Sequence, residues 1–251
     1  MDPSPLIPPT LRQWHPAPAV PVIEPDEVHI WRLALPDSAS VESQNVLSED
    51  EIAAANRFHF ERDRNRYVAC RADLRRILGQ LTQTPPRQIC LSYASHGKPY
   101  LSSNDQGLRF NVSHSKDTAL IAVAMDNDLG VDVECIETDV DHNALAQHFF
   151  TEGERRFIAS LDAARRPHAF YQCWTRKEAW IKAVGGGLTL PLDHFDVAAS
   201  LGQPQTIVRE THGQSVWTML ELNPDAQKVG ALVTHPAIKT IRQWCYPPQG
   251  T

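Results

Sequence analysis

Residues 130 to 134 read Gly130-Val131-Asp132-Val133-Glu134, a strict alternation at period two inside an otherwise apolar stretch. Such a pattern is satisfied by an extended strand, with Val131 and Val133 on one face and Asp132 and Glu134 side by side on the other. Two carboxylates held at that spacing can bind a hard cation. About forty residues later comes Trp174-Thr175-Arg176-Lys177-Glu178-Ala179-Trp180-Ile181-Lys182. On a helix, Glu178 and Lys182 at i and i+4 share one face, an acid and a base one turn apart. Three carboxylates and a lysine suit Mg²⁺ and a phosphate ester, because Mg²⁺ takes few protein oxygens and leaves its other positions to water and substrate phosphates.

The 251 residues are enough for one large domain or two small ones. A net charge of -6 argues against a polyanion partner such as nucleic acid, which calls for a basic face. The five cysteines are scattered and never form a C-x-x-C pair, so they read as reduced, mostly buried thiols rather than a disulfide frame or a zinc site. No apolar stretch reaches membrane-spanning length and the first thirty residues lack the features of a signal peptide, so a cytoplasmic protein with no membrane partner is expected.

Eight of the nineteen prolines lie within residues 1 to 25, which predicts an extended arm. Val28 to Leu33 reads as a strand, Ser48-Glu49-Asp50-Glu51 as a capping box opening a helix, and Arg62 to Leu81 as a longer helix rich in arginine. Strands over Leu108 to Val112 and Ala119 to Ala124 follow. The order then repeats: a strand over Leu129 to Cys135, a second capping box at Thr151-Glu152-Gly153-Glu154, and a helix from Pro167 to Val184 stopped by Gly185-Gly186-Gly187. From Phe195 onward, alternating runs such as Val216 to Leu222 and Gly230 to Thr234 predict antiparallel strands, with Ile241 to Tyr246 the last. Both halves are therefore α+β, parallel in element order rather than in sequence.

Each candidate residue has a plainer reading beside the chemical one. Asp132 and Glu134 could sit on a solvated strand face paired with arginines, and Glu178 with Lys182 could be an ordinary surface ion pair. Against this, Trp174, Trp180 and Ile181 make the helix apolar around much of its girth, as in a buried helix, and charges on such a helix need a reason. Ser113 and His114 suggest a hydrolase dyad, but neighbours on a strand point to opposite faces, so a phosphate contact suits them better. His96 to Tyr100 is a turn carrying Lys98 forward, or simply a hairpin. Arg62, Arg64, Arg66 and Arg71 read as a solvated helix face, consistent with Glu61, Asp63 and Asp73 among them.

Taken together, Gly97-Lys98-Pro99, Phe110-Asn111-Val112-Ser113-His114-Ser115, the Gly130 to Glu134 segment and the Trp174 to Lys182 segment resemble the 4′-phosphopantetheinyl transferases. The likeness is to the larger, surfactin-synthetase-activating type and covers roughly residues 28 to 235. It implies a monomer of two similar α+β halves related by pseudo-twofold symmetry. Each half is a small, mainly antiparallel sheet packed with helices, and the active site lies between them. The chain would divide into a proline-rich arm (1–26), an N-terminal half (27–128) and a C-terminal half (129–251). The implied activity moves 4′-phosphopantetheine from coenzyme A to a serine of acyl, peptidyl or polyketide carrier proteins, releasing adenosine 3′,5′-bisphosphate with Mg²⁺ as cofactor. The resemblance makes Asp132, Glu134 and Glu178 the Mg²⁺ ligands, Glu178 also the base for the incoming serine, and Lys182 the residue contacting the phosphates and leaving group. Arg66 and His114 would grip the 3′-phosphate, Ser113 and Asp132 would lie at the phosphates, and Lys98 and Pro99 would border the nucleotide. The stretch from Glu51 to Ala55 lacks the lysines some members carry, so Arg57, Arg62 or Arg64 would compensate.

Two other functions remain open on the residues alone. A metal-dependent phosphohydrolase would use the same carboxylates with water as nucleophile, and a nucleotide-binding or carrier-docking protein would need no base beside the metal.

Overall fold

The structure, a computed structural model, describes residues 13–103, 106–186, 191–197, 205–209 and 216–246. Its elements are β1 (His15–Pro16), β2 (Glu27–Ala34), α1 (Val41–Asn45), α2 (Glu49–Ala55), α3 (Glu61–Thr82), β3 (Leu91–Tyr93), β4 (Pro99–Leu101), β5 (Leu108–Ser115) and β6 (Thr118–Met125). They continue with β7 (Leu129–Cys135), α4 (His142–Phe149), α5 (Glu152–Ser160), α6 (Arg166–Val184), β8 (Gln205–Arg209), β9 (Val216–Asp225), β10 (Lys228–Thr234) and β11 (Thr240–Cys245).

A five-stranded sheet in the order β1-β11-β2-β6-β5 lies against a four-stranded antiparallel sheet in the order β7-β10-β9-β8. The alternation of side chains explains why both sheets are apolar on both faces. On β2 and β6, Trp31, Leu33, Ala119, Ile121 and Val123 pack with α3, while Val28, Ile30, Leu120, Ala122 and Ala124 meet Leu129, Val131, Val133 and Leu232 of the second sheet. The second sheet's other face, including Val229, Ala231 and Val233, packs with α6. The layers are therefore α3, sheet, sheet and α6, with a core at each of the three contacts.

Each half also buries a capping-box glutamate. Ser48 and Glu51 cap α2, Thr151 and Glu154 cap α5, and both glutamates are buried. Glu51 accepts from Arg71 Nε at 2.7 Å and Arg75 Nε at 2.5 Å on α3. Glu154 meets Lys177 Nζ at 2.9 Å on α6, with neither side chain exposed. The repeated element order thus extends to a repeated ion pair tying each half's short capped helix to its long one.

Two expectations change. The last strand is not antiparallel in the second sheet: β11 runs parallel to β2 in the first, and β1 runs parallel to β11. Polar pairs distant in sequence join the two strands, Trp244 Nε1 donating to His29 Nδ1 at 3.1 Å and Arg242 pairing with Glu27 at 2.9 Å. Of the arm expected over residues 1–26, residues 1–12 lie outside the described residues; in the rest, β1 pairs with β11 and Trp14 Nε1 donates to Asn223 O at 3.1 Å. Arg71, expected on a solvated face, is buried because Glu51 claims it.

At Gly130 the backbone of α6 lies against β7. A Cβ added at Gly130 would lie 2.0 Å from Ala179 O and 2.4 Å from Ala183 N, so only glycine lets the helix backbone rest on the strand. Gly130→Ala must push α6 away. The substitution is expected to cost about 2 kcal/mol by overpacking, lowering Tm by roughly 4–8 °C; an unchanged thermal unfolding midpoint would contradict this packing.

Candidate active site

The two sheets meet along an unusual seam. The edge strands β5 and β7 lie side by side without pairing in one sheet, and side chains bridge them. Asn111, Ser113 and Ser115 alternate on one face of β5, so all three point at β7. Val131 N–H donates to Asn111 Oδ1 at 2.9 Å, Ser113 Oγ donates to Asp132 Oδ1 at 2.7 Å, and Ser115 Oγ donates to Glu134 Oε2 at 2.7 Å while accepting from Cys135 N–H at 3.1 Å. The carboxylates of Asp132 and Glu134 are held in place from the neighbouring sheet.

Because Asp132 shares the face of Gly130, it looks toward α6, and Lys182 arrives there. Its Nζ lies 2.7 Å from Asp132 Oδ1, 3.0 Å from Ser113 Oγ and 3.4 Å from Val131 O. Glu178, one turn earlier, is half-buried near the same carboxylate. Burial first, then the Asp132 charge, raises the Glu178 pKa above its ordinary value, with Lys182 opposing. Glu134 is pushed up to about 7, by burial and then by Asp132, against the lowering effects of Ser115 and Lys182. These are acids crowded together with too little positive charge.

The donor set suits a hard cation. Three carboxylates converge in influence, and Asp132 Oδ2 is buried with no hydrogen-bond partner, an oxygen that is costly to desolvate unless something binds it. In the side-chain positions present, no three His, Cys, Asp or Glu groups among the described residues stand at ligating distance together. Lys182 Nζ engages Asp132 Oδ1, and the Ser115 hydroxyl engages Glu134 Oε2.

On the opposite face of β5, His114 looks toward α3. There it lines a cavity of about 300 Å³ with Arg62 and Arg66 of α3, Lys116, Phe58 and Tyr67. Arg66 is bridged to Asp37 at 2.7 Å. His114 is exposed, and desolvation followed by the Lys182 charge lowers its pKa, with Asp132 opposing. Asp63 also lines the cavity and pairs with Arg62 at 3.3 Å, and Lys116 pairs with Glu137 at 2.7 Å, so an anion entering beside these cations would exchange with carboxylates already there.

Two family models cover most of the chain. Residues 36–126 match the model for the N-terminal region of 4′-phosphopantetheinyl transferases, and residues 128–233 match that of the 4′-phosphopantetheinyl transferase superfamily. The 4′-phosphopantetheinyl transferase HetI of Nostoc sp. is 37% identical over 223 residues, covering 87% of this chain and 92% of HetI. The chain belongs to the 4′-phosphopantetheinyl transferase superfamily. It is also similar to the 4′-phosphopantetheinyl transferases gsp of Aneurinibacillus migulanus (29% identity; 71% of this chain and 72% of gsp) and Sfp of Bacillus subtilis (27%; 76% and 84%).

In this transferase Asp132, Ser113 and Lys182 are in direct contact, Glu134 and Glu178 stand beside them, and Arg66 and His114 line the same cavity. Ser113 and His114 do face opposite ways. Lys98 and Pro99 line a second cleft of about 190 Å³ with Leu129 and Ala183. There the Lys98 ammonium bonds backbone carbonyls, at 3.2 Å from Leu129 O and 2.5 Å from Lys182 O. Of the arginines expected to compensate for absent lysines, Arg62 reaches the pocket. Asn111, Ser115 and Lys116 were not singled out by sequence. The alternation of Asn111, Ser113 and Ser115 carried the signal for the first two, while Lys116 reaches the pocket through a left-handed turn at φ 51° that nothing in its residue type announces.

Proposed function

We propose that the chain transfers the 4′-phosphopantetheine arm of coenzyme A to a serine hydroxyl of acyl, peptidyl or polyketide carrier proteins, releasing adenosine 3′,5′-bisphosphate. What supports the reading most is Asp132, gripped through one oxygen by Lys182 and Ser113 while its buried second oxygen has no partner. Asp132, Glu134 and Glu178 would hold Mg²⁺. When bound, the cation neutralises the pyrophosphate and polarises the phosphorus under attack. Glu178, made more basic by its surroundings, takes the serine proton as the new O–P bond forms. Lys182 places positive charge where the pyrophosphate P–O bond breaks and the bisphosphate leaves. Ser113 orients that lysine. Arg62, Arg66, Lys116 and His114 bind the 3′-phosphate, which tethers the nucleotide away from the reacting atoms.

The two halves divide near residue 128 in this reading, and one chain supplies both walls of the site, in keeping with a monomer. A cytoplasmic location suits the reaction; among the described residues no helix is long and apolar enough to cross a membrane. The net charge of -6 disfavours nucleic acid as a partner.

Intact mass spectrometry of an apo carrier protein with the enzyme, coenzyme A and Mg²⁺ should show a gain of roughly 340 Da, one phosphopantetheine arm. Asp132→Ala and Glu178→Gln should abolish the gain while leaving circular dichroism unchanged; full activity in either would remove that residue from its role. Hydrolysis of coenzyme A without carrier would instead favour a phosphohydrolase.

Arg66→Ala should raise KM for coenzyme A about 10- to 100-fold, the worth of a charge-assisted contact. With 3′-dephospho-coenzyme A the same variant should behave as the parent. An equal effect on both substrates would place Arg66 outside the 3′-phosphate site.

A further inference from the structure

We infer that Glu137 is a built-in competitor of the coenzyme A 3′-phosphate: it holds the Lys116 ammonium in the free protein and gives it up when the phosphate arrives. The inference rests on the proposed transfer reaction and concerns how tightly that reaction's substrate is held.

Lys116 and Asp117 form the turn between β5 and β6, since Ser115 pairs with Thr118. Lys116 takes φ 51° there, a left-handed backbone that favours glycine or asparagine over a long side chain. A lysine in that position carries a conformational cost, which a role for its ammonium explains. Two partners compete for that ammonium. Its Nζ lies 2.7 Å from Glu137 Oε1, in the segment after β7, and the residue also lines the cavity of His114, Arg62 and Arg66. Each cation of that cavity has a carboxylate. Asp37 takes Arg66 at 2.7 Å and Asp63 takes Arg62 at 3.3 Å, both from the first half, whereas Glu137 reaches Lys116 from the second.

Lys116 and Glu137 are 54% and 35% exposed, so water screens their attraction and the pair holds loosely. A phosphate dianion carries more charge than one carboxylate and meets His114 and both arginines at the same time, so it takes Lys116 from Glu137. The exchange asks only side chains to move, and the lysine stem is flexible. Ile136 N–H donates to Gln227 O at 2.9 Å and the Tyr171 hydroxyl meets the Glu137 main chain, which keeps the segment in place. The turn stays as well, because Asp117 keeps Lys228 of β10 at 3.2 Å, a second tie between the halves beside the first. Part of the attraction for the 3′-phosphate therefore goes into displacing Glu137. Coenzyme A binds more weakly than the cations of the pocket alone would allow.

The test is calorimetric titration of the full chain, at low salt with Mg²⁺, with coenzyme A and with 3′-dephospho-coenzyme A. Glu137→Gln should lower the Kd for coenzyme A about threefold, the scale of an exposed ion pair, and leave that for the dephospho compound unchanged. Lys116→Ala should raise the coenzyme A Kd about tenfold, the worth of a charge-assisted contact, again without effect on the dephospho compound. Added to Lys116→Ala, Glu137→Gln should change nothing further, because the ammonium in contention is gone. A coenzyme A Kd in Glu137→Gln equal to or above the parent's would overturn the inference. So would the same gain in the absence of Lys116, which would make Glu137 a general repulsive charge, or a Lys116→Ala loss shared by both compounds. Should Lys116→Ala fail to fold, Lys116→Gln carries the comparison. No carrier enters these titrations. A parent that binds coenzyme A with these responses yet moves no arm to any carrier would refute transfer and leave the competition standing; a parent that moves the arm yet binds both compounds equally would refute the competition and leave transfer standing.

Discussion

The arrangement depends on how two sheet edges meet without forming a common ladder. Strand edges left unpaired are costly when buried, because each N–H must find an acceptor. Here β5 answers with side chains: Asn111 and Ser115 accept from the amides of Val131 and Cys135, and Ser113 and Ser115 donate to the carboxylates of Asp132 and Glu134. A backbone ladder would have satisfied the amides and left the carboxylates free to turn. The side-chain seam does both tasks, so the structural problem of joining two sheets and the chemical problem of fixing two acids have one solution.

Everything functional is then placed by period and clearance. The alternation that sends Val131 and Val133 into the core between the sheets sends Asp132 toward α6, and the absence of a side chain at Gly130 lets α6 approach until Lys182 reaches Asp132. The same alternation on β5 sends Ser113 to the carboxylates and His114 to the arginines of α3. Buried anchors keep the long helices from rotating out of these positions. On α6, Lys177 spends its ammonium on Glu154 and on the carbonyls of Leu192 and Phe195, which leaves its neighbour Glu178 facing the cleft.

What could be read in advance was what local pattern determines. The strand over Leu129 to Cys135, both capping boxes and the long helix ending at Gly185 follow from spacing of two, spacing of three to four, and residue types with definite backbone preferences. The candidate acids and Lys182 were legible for the same reason. The return of β11 to the first sheet was not, because its pairing with β2 is decided by contacts such as Trp244 with His29, 215 residues apart. Nor was the fate of charged groups that look alike in sequence. Arg71 is buried by Glu51 and Arg66 lines a pocket, although both lie on the same helix among acidic neighbours, and Lys98 gives its charge to two carbonyls that no motif could name.

The seam can be tested without any substrate, by backbone amide hydrogen exchange at single-residue resolution. The Val131 and Cys135 amides should exchange slowly, as donors closed by side-chain acceptors. Asn111→Ala should release Val131 while leaving Cys135 protected. Rapid exchange of both amides in the unaltered protein would contradict the account, since β5 and β7 would then not be joined in the way that fixes Asp132 and Glu134.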